Sequence, residues 1–258
     1  MGQMAEIYAL WKNQMISGDD IAFWQEIFVK FYQAFIEADR WTQYLNGVGT
    51  TLMVTAMALI LGVILGVLVA MVRTAHDQQR PGHRNFLLGI ANFICKIYVT
   101  VIRGTPMMVQ LLIMGMVIFA SSRNFTLVGA LTLGINSGAY VAEIIRGGLM
   151  SLDRGQMEAG RSLGLNYIDT MRFIVIPQAF KTILPSLGNE FIVLLKDTSL
   201  ITVIGGKEML YAAQGIMGRT YEAMFPLLGI AAIYLILVLI FSALQAKLER
   251  RMRQSDRR

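Results

Sequence analysis

The sequence lacks most of the side chains on which enzyme chemistry depends. Its one cysteine, Cys95, excludes an internal disulfide and a cysteine-based metal cluster. Its two histidines, His76 and His83, lie in one short polar segment, so a histidine-based metal or catalytic site is not expected. There is also no Ser-His-Asp set and no catalytic carboxylate pair at a cytoplasmic edge. These absences count against a membrane-embedded enzyme.

Charged residues are scarce as well. They make up 16% of the 258 residues, against about 25% in soluble domains, while 55% are hydrophobic and come in long runs. This composition favours a polytopic membrane protein. The net charge of +6 does not indicate nucleic-acid binding, because the basic residues cluster in loops beside the apolar runs. Residues 1–20 lack the pattern of a cleavable signal peptide, so we expect the first span to act as an uncleaved insertion signal.

Five apolar stretches predict an all-α membrane protein with five transmembrane helices. The second stretch has about 35 residues, too many for one straight span of roughly 20. It is interrupted at residues 103–106 (Arg-Gly-Thr-Pro), and the proline predicts a kinked or broken helix there. The predicted spans cover residues 47–72, 86–120, 125–145, 179–204 and 224–244.

The distribution of lysine and arginine orients these spans, because both concentrate in cytoplasmic loops. They are frequent in the loop after the first span, in the central loop and in the tail, at Arg73, Arg80, Arg84, Arg146, Arg154, Arg161, Arg172, Lys247, Arg250, Arg251, Arg253, Arg257 and Arg258. We therefore predict that the N-terminus lies outside and the C-terminus in the cytoplasm. Without an internal repeat, residues 44–246 form one transmembrane domain. It follows an extracytoplasmic segment, residues 1–43, and precedes a basic cytoplasmic tail, residues 247–258.

The extracytoplasmic segment contains one clear helical pattern. Residues 21–36 have a polar stripe that reaches Glu37, and aromatic residues on the other faces. Two interpretations of this amphipathic helix stay open. It lies in the plane of the membrane interface, or it packs on the protein's own surface.

The central loop, residues 146–178, is the long charged segment in the middle of the chain. The stretch 157–165 predicts a short helix, with Glu158 near its start, where a carboxylate suits the helix dipole, and Gly164 as its stop. A second helix begins near residues 167–169, and Pro177 is predicted to break the backbone before the fourth span.

The spacing of this loop resembles the EAA loop of type I ABC importer permeases. That pattern is Glu-Ala-Ala, three residues, Gly, nine residues, Ile, one residue and Leu-Pro, and the chain departs from it with Gly160 for Ala and Ile176 for Leu. The matching positions are Glu158, Ala159, Gly160, Gly164, Ile174, Ile176 and Pro177. Residues 103–106, 140–143 and 196–200 resemble the polar amino acid uptake branch, the permeases for histidine, glutamine or arginine. The resemblance extends from about Asn46 to the C-terminus.

The resemblance implies a dimeric permease of the bacterial inner membrane with the type I importer fold. Its partners would be two ATPase subunits, an identical or different second permease subunit and an extracytoplasmic substrate-binding protein. The positions implied to contact the ATPase are Glu158, Ala159, Gly160, Gly164, Ile176 and Pro177. The chain has no Gly-x-x-x-x-Gly-Lys-Ser/Thr loop, so ATP and Mg²⁺ would bind the partner, and we expect neither enzymatic activity nor a cofactor here.

Several ionisable residues fall inside the predicted spans, where charges are costly and usually face a cavity or a partner. Glu190 and Asp197 are two helical turns apart, on one side of the fourth span, and Lys196 lies beside them. Arg103, Thr105 and Gln110 surround the break in the second stretch. These six residues predict a site for an amino acid substrate near the midplane, or else an ion network that locks spans two and four together. In permeases of basic amino acid importers, the matching Glu and Lys-Asp line the substrate pocket.

Two classes of transporter follow from these features. The leading hypothesis is the permease of an ATP-driven importer for a polar, basic amino acid, working by alternating access. The alternative is an ion-coupled carrier or channel that uses the intramembrane charges as a relay. The absence of an inverted repeat and the spacing of the central loop count against the alternative.

Overall fold

The computed structural model describes residues 2–79, 85–153 and 155–255, and in these ranges it contains helices and no β-strand. Predictions that fall on His83, Arg80, Arg84, Arg154, Arg257 and Arg258 lie outside the described residues. The α-helices are α1 (Gly2–Ser17), α2 (Phe23–Phe35), α3 (Trp41–Asp77), α4 (Phe86–Gly104), α5 (Met107–Ile113), α6 (Phe125–Met150), α7 (Gly155–Ser162), α8 (Tyr167–Thr170), α9 (Ile176–Asp197), α10 (Met209–Thr220) and α11 (Met224–Ser255).

Four helical stretches of the described residues are long and apolar enough to cross a membrane. They are Glu37–Asp77, Phe86–Gly104, Phe125–Met150 and Met224–Met252. The fourth predicted span corresponds to α9, which has 22 residues, a length of about 33 Å. Helix α9 is not among these four, because it contains several polar and charged residues. Its length alone would be sufficient to cross a bilayer.

The second predicted span is broken, as its proline indicated. Helix α4 ends at Gly104, Thr105 and Pro106 have extended backbone angles, and α5 begins at Met107. A residue before proline avoids helical angles for steric reasons, which explains the extended Thr105. A π-helical turn, Met114–Ile118, follows α5.

Helices α3 and α6 form the centre of the bundle through close backbone approach. A Cβ atom added to Gly66 would lie 2.5 Å from Cγ1 of Val141, and one added to Gly62 would lie 2.7 Å from Oγ of Ser137. Small residues at such contacts let membrane helices pack tightly. Of the four candidate spans, α6 is the most buried and α11 the least, so α6 is the element around which the others are arranged.

The central loop differs from the prediction at Pro177. Helix α8 passes through a π-helical turn, Met171–Val175, directly into α9, and Val175 and Ile176 both have right-handed helical angles. The predicted break at Ile176 and Pro177 is therefore wrong. Pro177 occupies the first turn of α9, where the missing N–H is tolerated, and the preceding turn is π-helical.

Helical structure extends beyond the apolar runs at both ends of the chain. Residues 2–17 form α1, which their mixed polarity did not predict, while α2 confirms the amphipathic helix. At the other end, α11 continues past the predicted span to Ser255, so the described part of the basic tail belongs to the same helix.

Candidate functional site

Glu190 lies in α9 and is buried, with 9% of its surface exposed. Its Oε1 accepts a hydrogen bond of 2.7 Å from Oγ of Ser137, a fully buried residue in the middle of α6. No other hydrogen bond to this carboxylate comes from the described residues. A carboxylate offers about four acceptor positions, so Glu190 keeps unused acceptor capacity in a buried place.

Asp197 is the last residue of α9, two turns beyond Glu190, and is half-buried. Among the parts of the chain that the structure covers, it accepts no side-chain hydrogen bond and joins no ion pair. Lys196 is exposed and likewise pairs with neither carboxylate. Both acidic groups are therefore left with acceptor positions that a donor from outside the chain could occupy.

Gln110 closes the break between α4 and α5. Its Nε2 donates to the carbonyl oxygen of Ile102 (2.7 Å) and to Oγ1 of Thr105 (2.8 Å). Its Oε1 accepts from Nδ2 of Asn136 in α6 (2.9 Å). Thr105 and Gln110 thus satisfy polar groups freed by the break and tie it to α6.

Two adjacent residues of α6 hold the two parts of the site together. Asn136 binds Gln110 at the break, and Ser137 binds Glu190 in α9. Neither residue was predicted from the sequence. The available signal was a polar Asn-Ser pair in the middle of an apolar span, which is costly at membrane depth unless the two side chains have partners.

Arg103 belongs to a different cluster from the other five predicted site residues. Its Nη1 lies 4.0 Å from Oε2 of Glu143, and its guanidinium stands 5.2 Å from the ring centre of Tyr140. Glu143 also binds Arg146, at 2.8 Å, and Arg73 in α3. Arg103 therefore contacts α6 one to two turns beyond the serine that binds Glu190.

The predicted coupling residues divide into exposed and buried ones. Glu158, Ala159, Gly164, Ile176 and Pro177 are exposed. Gly160 is buried, and a Cβ atom added to it would lie 2.4 Å from Cγ2 of Thr170 in α8. The absence of a side chain at Gly160 therefore allows α7 to lie against α8, and its contact with an ATPase stays a prediction.

The short helix α7 has a defined end and is tied to its surroundings. Gly164 adopts a left-handed φ of 79°, and the N–H groups of Gly164 and Leu165 donate to the carbonyls of Arg161 and Gly160. This is a Schellman motif, which favours glycine because other residues are strained at that φ. Two hydrogen bonds attach the loop to its surroundings. Tyr167 donates to Gln78 at the end of α3, and Gln178 in α9 donates to Gln156 in α7 (3.0 Å).

A second buried carboxylate, Glu208, was not singled out by its sequence context. It has 1% of its surface exposed and begins α10. Four donors surround it: Oγ1 of Thr202 (2.6 Å), the N–H of Tyr211 (3.0 Å), the hydroxyl of Tyr234 (2.8 Å) and, at 3.5 Å, the hydroxyl of Thr51. All its acceptor positions are occupied, so Glu208 joins α3, α10 and α11 and has no capacity for a ligand.

Known proteins with similar sequences include permeases of amino acid transport systems. The chain is 35% identical over 213 residues to the glutamine transport system permease protein GlnP of Escherichia coli, covering 81% of the chain and 92% of that protein. It is 36% identical over 217 residues to the arginine transport system permease protein ArtQ of Bacillus subtilis, covering 82% of the chain and 93% of that protein.

Two solved structures have the same fold. A crystal structure of an amino acid ABC transporter with histidines superposes with a TM-score of 0.73 at 40% identity, covering 81% of the chain and 94% of the matched chain. An inward-facing form of the MetNI methionine ABC transporter gives 0.69 at 18% identity, covering 84% and 99%. Residues 85–254 match the family described as "Binding-protein-dependent transport system inner membrane component". The chain therefore belongs to this family of ABC transporter permease subunits.

Proposed function

We propose that the chain is a permease that carries a basic amino acid into the cell by alternating access, driven by separate ATPase subunits. The observation that carries the substrate class is the pair of under-used carboxylates, Glu190 and Asp197, on one helix of the bundle. Because a buried carboxylate with too few donors is unfavourable, a bound ammonium or guanidinium group would supply the donors that the site lacks. Two of the relatives are named for glutamine and for arginine, which is consistent with a polar amino acid.

The coupling proposal is supported by how α7 connects to α9. The exposed residues of α7 offer a rigid surface, and α8 runs through the π-helical turn into α9 without a break. A force on α7 would therefore pass to α8 through the contact of Gly160 with Thr170, and from α8 to Glu190 through one continuous helical segment. Rigid-body movement of this kind is a recurrent mechanism of switching between states.

The wider assembly remains the one that the family resemblance implies. It has five spans with α9 as the fourth, the N-terminus outside, α7 in the cytoplasm, two permease subunits, two ATPases and an extracytoplasmic binding protein, in a bacterial inner membrane. Hairpin α1–α2 and loop α7–α8 lie at opposite ends of the 37-residue α3, about 55 Å apart along its axis, which is compatible with opposite sides of a membrane.

The coupling proposal is tested by co-purification of the full chain with a candidate ATPase subunit from the same organism. We expect a stable complex, and we expect its basal ATP hydrolysis to be unchanged in the variants Gly164→Asp and Gly218→Asp. Gly164→Asp strains the end of α7, because φ there is positive, and should abolish most uptake in proteoliposomes. Gly218→Asp is a matched control at an exposed glycine of α10 with no neighbour within 4 Å, and should leave uptake unchanged. Failure to recruit an ATPase, together with full uptake by Gly164→Asp, would contradict the proposal.

A further inference from the structure

Residues 2–35 form a helical hairpin that lies outside the family match at 85–254. Helices α1 and α2 pack through aromatic rings. Tyr8 stacks on Tyr32 with 4.3 Å between ring centres, and Trp11 meets Trp24 edge-on at 4.9 Å and Phe28 at 5.4 Å. Such pairs add stability beyond the area that they bury. The hairpin is therefore a small packed unit and not a trailing peptide.

The hairpin is fixed to one end of the bundle, where α3 and α11 begin. The ring of Phe35 lies 5.4 Å from that of Tyr44 in α3, and a Cβ atom added to Gly229 in α11 would approach Phe35 to 2.6 Å. Nζ of Lys30 lies 3.4 Å from a carboxylate oxygen of Glu222, just before α11. These contacts hold α2 in a fixed position against the first turns of α3 and α11.

The face of α2 turned away from the bundle is apolar. Phe23, Trp24, Ile27 and Phe31 follow each other at helical spacing, and between 36% and 76% of each residue's surface is exposed. No charged residue interrupts this set, which we call the α2 stripe. Exposing this much apolar surface to water is unfavourable by about 25 cal/mol per Å².

The two lysines of the hairpin each form an ion pair. Lys30 binds Glu26 at 2.7 Å, and Lys12 binds Glu37 at 2.5 Å. The hydrogen bond that Lys30 donates to Glu26 raises the pKa of Lys30, and the one that Lys12 donates to Glu37 raises the pKa of Lys12. Both lysines therefore stay charged at neutral pH, and each is paired with a carboxylate away from the α2 stripe.

The stripe continues onto the exposed apolar surface of α11. The ring of Phe31 lies 6.1 Å from that of Phe225, in the first turn of α11. From there the exposed apolar residues of α11 follow, beginning with Met224 and Leu228. Because α11 is the least buried of the four candidate spans, most of its apolar surface has no contact within this chain, and the α2 stripe extends that surface at the end of the span.

We propose that the α2 stripe inserts into the interfacial layer of the lipid bilayer, where α11 enters the membrane. The inserted stripe would anchor the hairpin to the membrane beside that end of the bundle. Tryptophan and phenylalanine are favoured at this depth, and an amphipathic helix lies in the interface plane with its apolar face toward the acyl chains. The occupant is phospholipid, and a folded protein partner is the competing outcome. The inference needs the chain to span a membrane and does not depend on which substrate it carries.

The test uses spin labels in the full complex, reconstituted into nanodiscs. In a Cys95→Ser background, one variant carries Ile27→Cys and the matched control carries Asn13→Cys, an exposed polar position of α1. We expect the label at 27 to collide with oxygen several-fold more, relative to a water-soluble nickel chelate, than the label at 13. Equal ratios at the two positions would overturn the proposal. So would a label at 27 that is open to the chelate and becomes protected only when the substrate-binding protein is added.

A second measurement covers the case in which the labelled variants fail to assemble. Phospholipid brominated near the headgroup should quench the tryptophan fluorescence of the unlabelled complex, and Trp24→Phe should remove part of that quenching. Unchanged quenching in Trp24→Phe would contradict insertion of the stripe.

Discussion

Glu208 and Glu190 are two buried carboxylates of one bundle with opposite surroundings. Glu208 is enclosed by four donors from different parts of the chain, whereas Glu190 accepts one hydrogen bond, from Ser137, within the described residues. Burial alone therefore does not distinguish the two carboxylates. They differ in the fraction of their acceptor positions that the fold itself occupies.

The same difference predicts opposite responses to substitution. A saturated carboxylate is part of the structure, because its removal leaves several donors without partners. An under-used carboxylate contributes little to folding and much to a ligand that completes it. Five substitutions test this contrast, from the largest expected effect to the smallest.

Glu208→Ala should have the largest effect on stability. It leaves the hydroxyls of Thr202 and Tyr234 and the N–H of Tyr211 without their acceptor in a buried place. We expect a loss of about 3 kcal/mol or more in the free energy of unfolding, measured as a lower melting temperature in detergent. Glu158→Ala, at an exposed site, is the control and should melt like the unchanged protein. An unaltered melting temperature for Glu208→Ala would contradict a structural role for Glu208 and with it the proposed difference from Glu190.

Glu190→Gln should leave folding intact and impair transport. The amide keeps the size of the side chain and can still accept from Ser137, so only the charge is lost. We expect stimulation of ATP hydrolysis and uptake by a basic amino acid to fall about tenfold, which corresponds to about 1.4 kcal/mol of binding free energy. Asp197→Asn should act in the same direction. A variant that melts early and no longer assembles would instead indicate that these charges are structural.

Tyr234→Phe removes one of the four donors around Glu208 and should have a moderate effect. The carboxylate keeps Thr202 and the N–H of Tyr211, so it stays partly satisfied. The expected loss is about 1 kcal/mol in the free energy of unfolding, with transport unchanged. A loss as large as that of Glu208→Ala would mean that the hydroxyl of Tyr234 matters more than its share of the four contacts.

Ser137→Ala should have a small effect on stability, although it removes the one hydrogen bond that Glu190 accepts from the described residues. Hydrogen bonds between membrane helices contribute about 0.6 kcal/mol on average. The measurable change should be in the apparent affinity for substrate, because Glu190 loses its orienting contact, and Ser137→Thr should restore part of it. If both variants keep the original affinity, Ser137 does not position Glu190.

The sequence predicted the helices more reliably than the partners of its charges. The break at residues 103–106 and the helix end at Gly164 follow from local rules on proline and glycine, and both are present in the structure. At Pro177 the same local rule failed, because the chain accommodates the proline in the first turn of a helix that follows a π-helical turn. Helix α1 was missed because its order comes from ring packing against α2 and not from its own pattern.

The family, the apolar spans and the motif of the central loop were determined by the sequence itself, because they depend on composition and on spacing along the chain. Tertiary structure decided which charges share a partner. Asn136 and Ser137 join residues 26 and 53 positions away, and Arg103 turns to Glu143, because close packing of α3, α4 and α6 brings distant parts of the chain together. Such contacts depend on distances in space, which no pattern along one chain specifies.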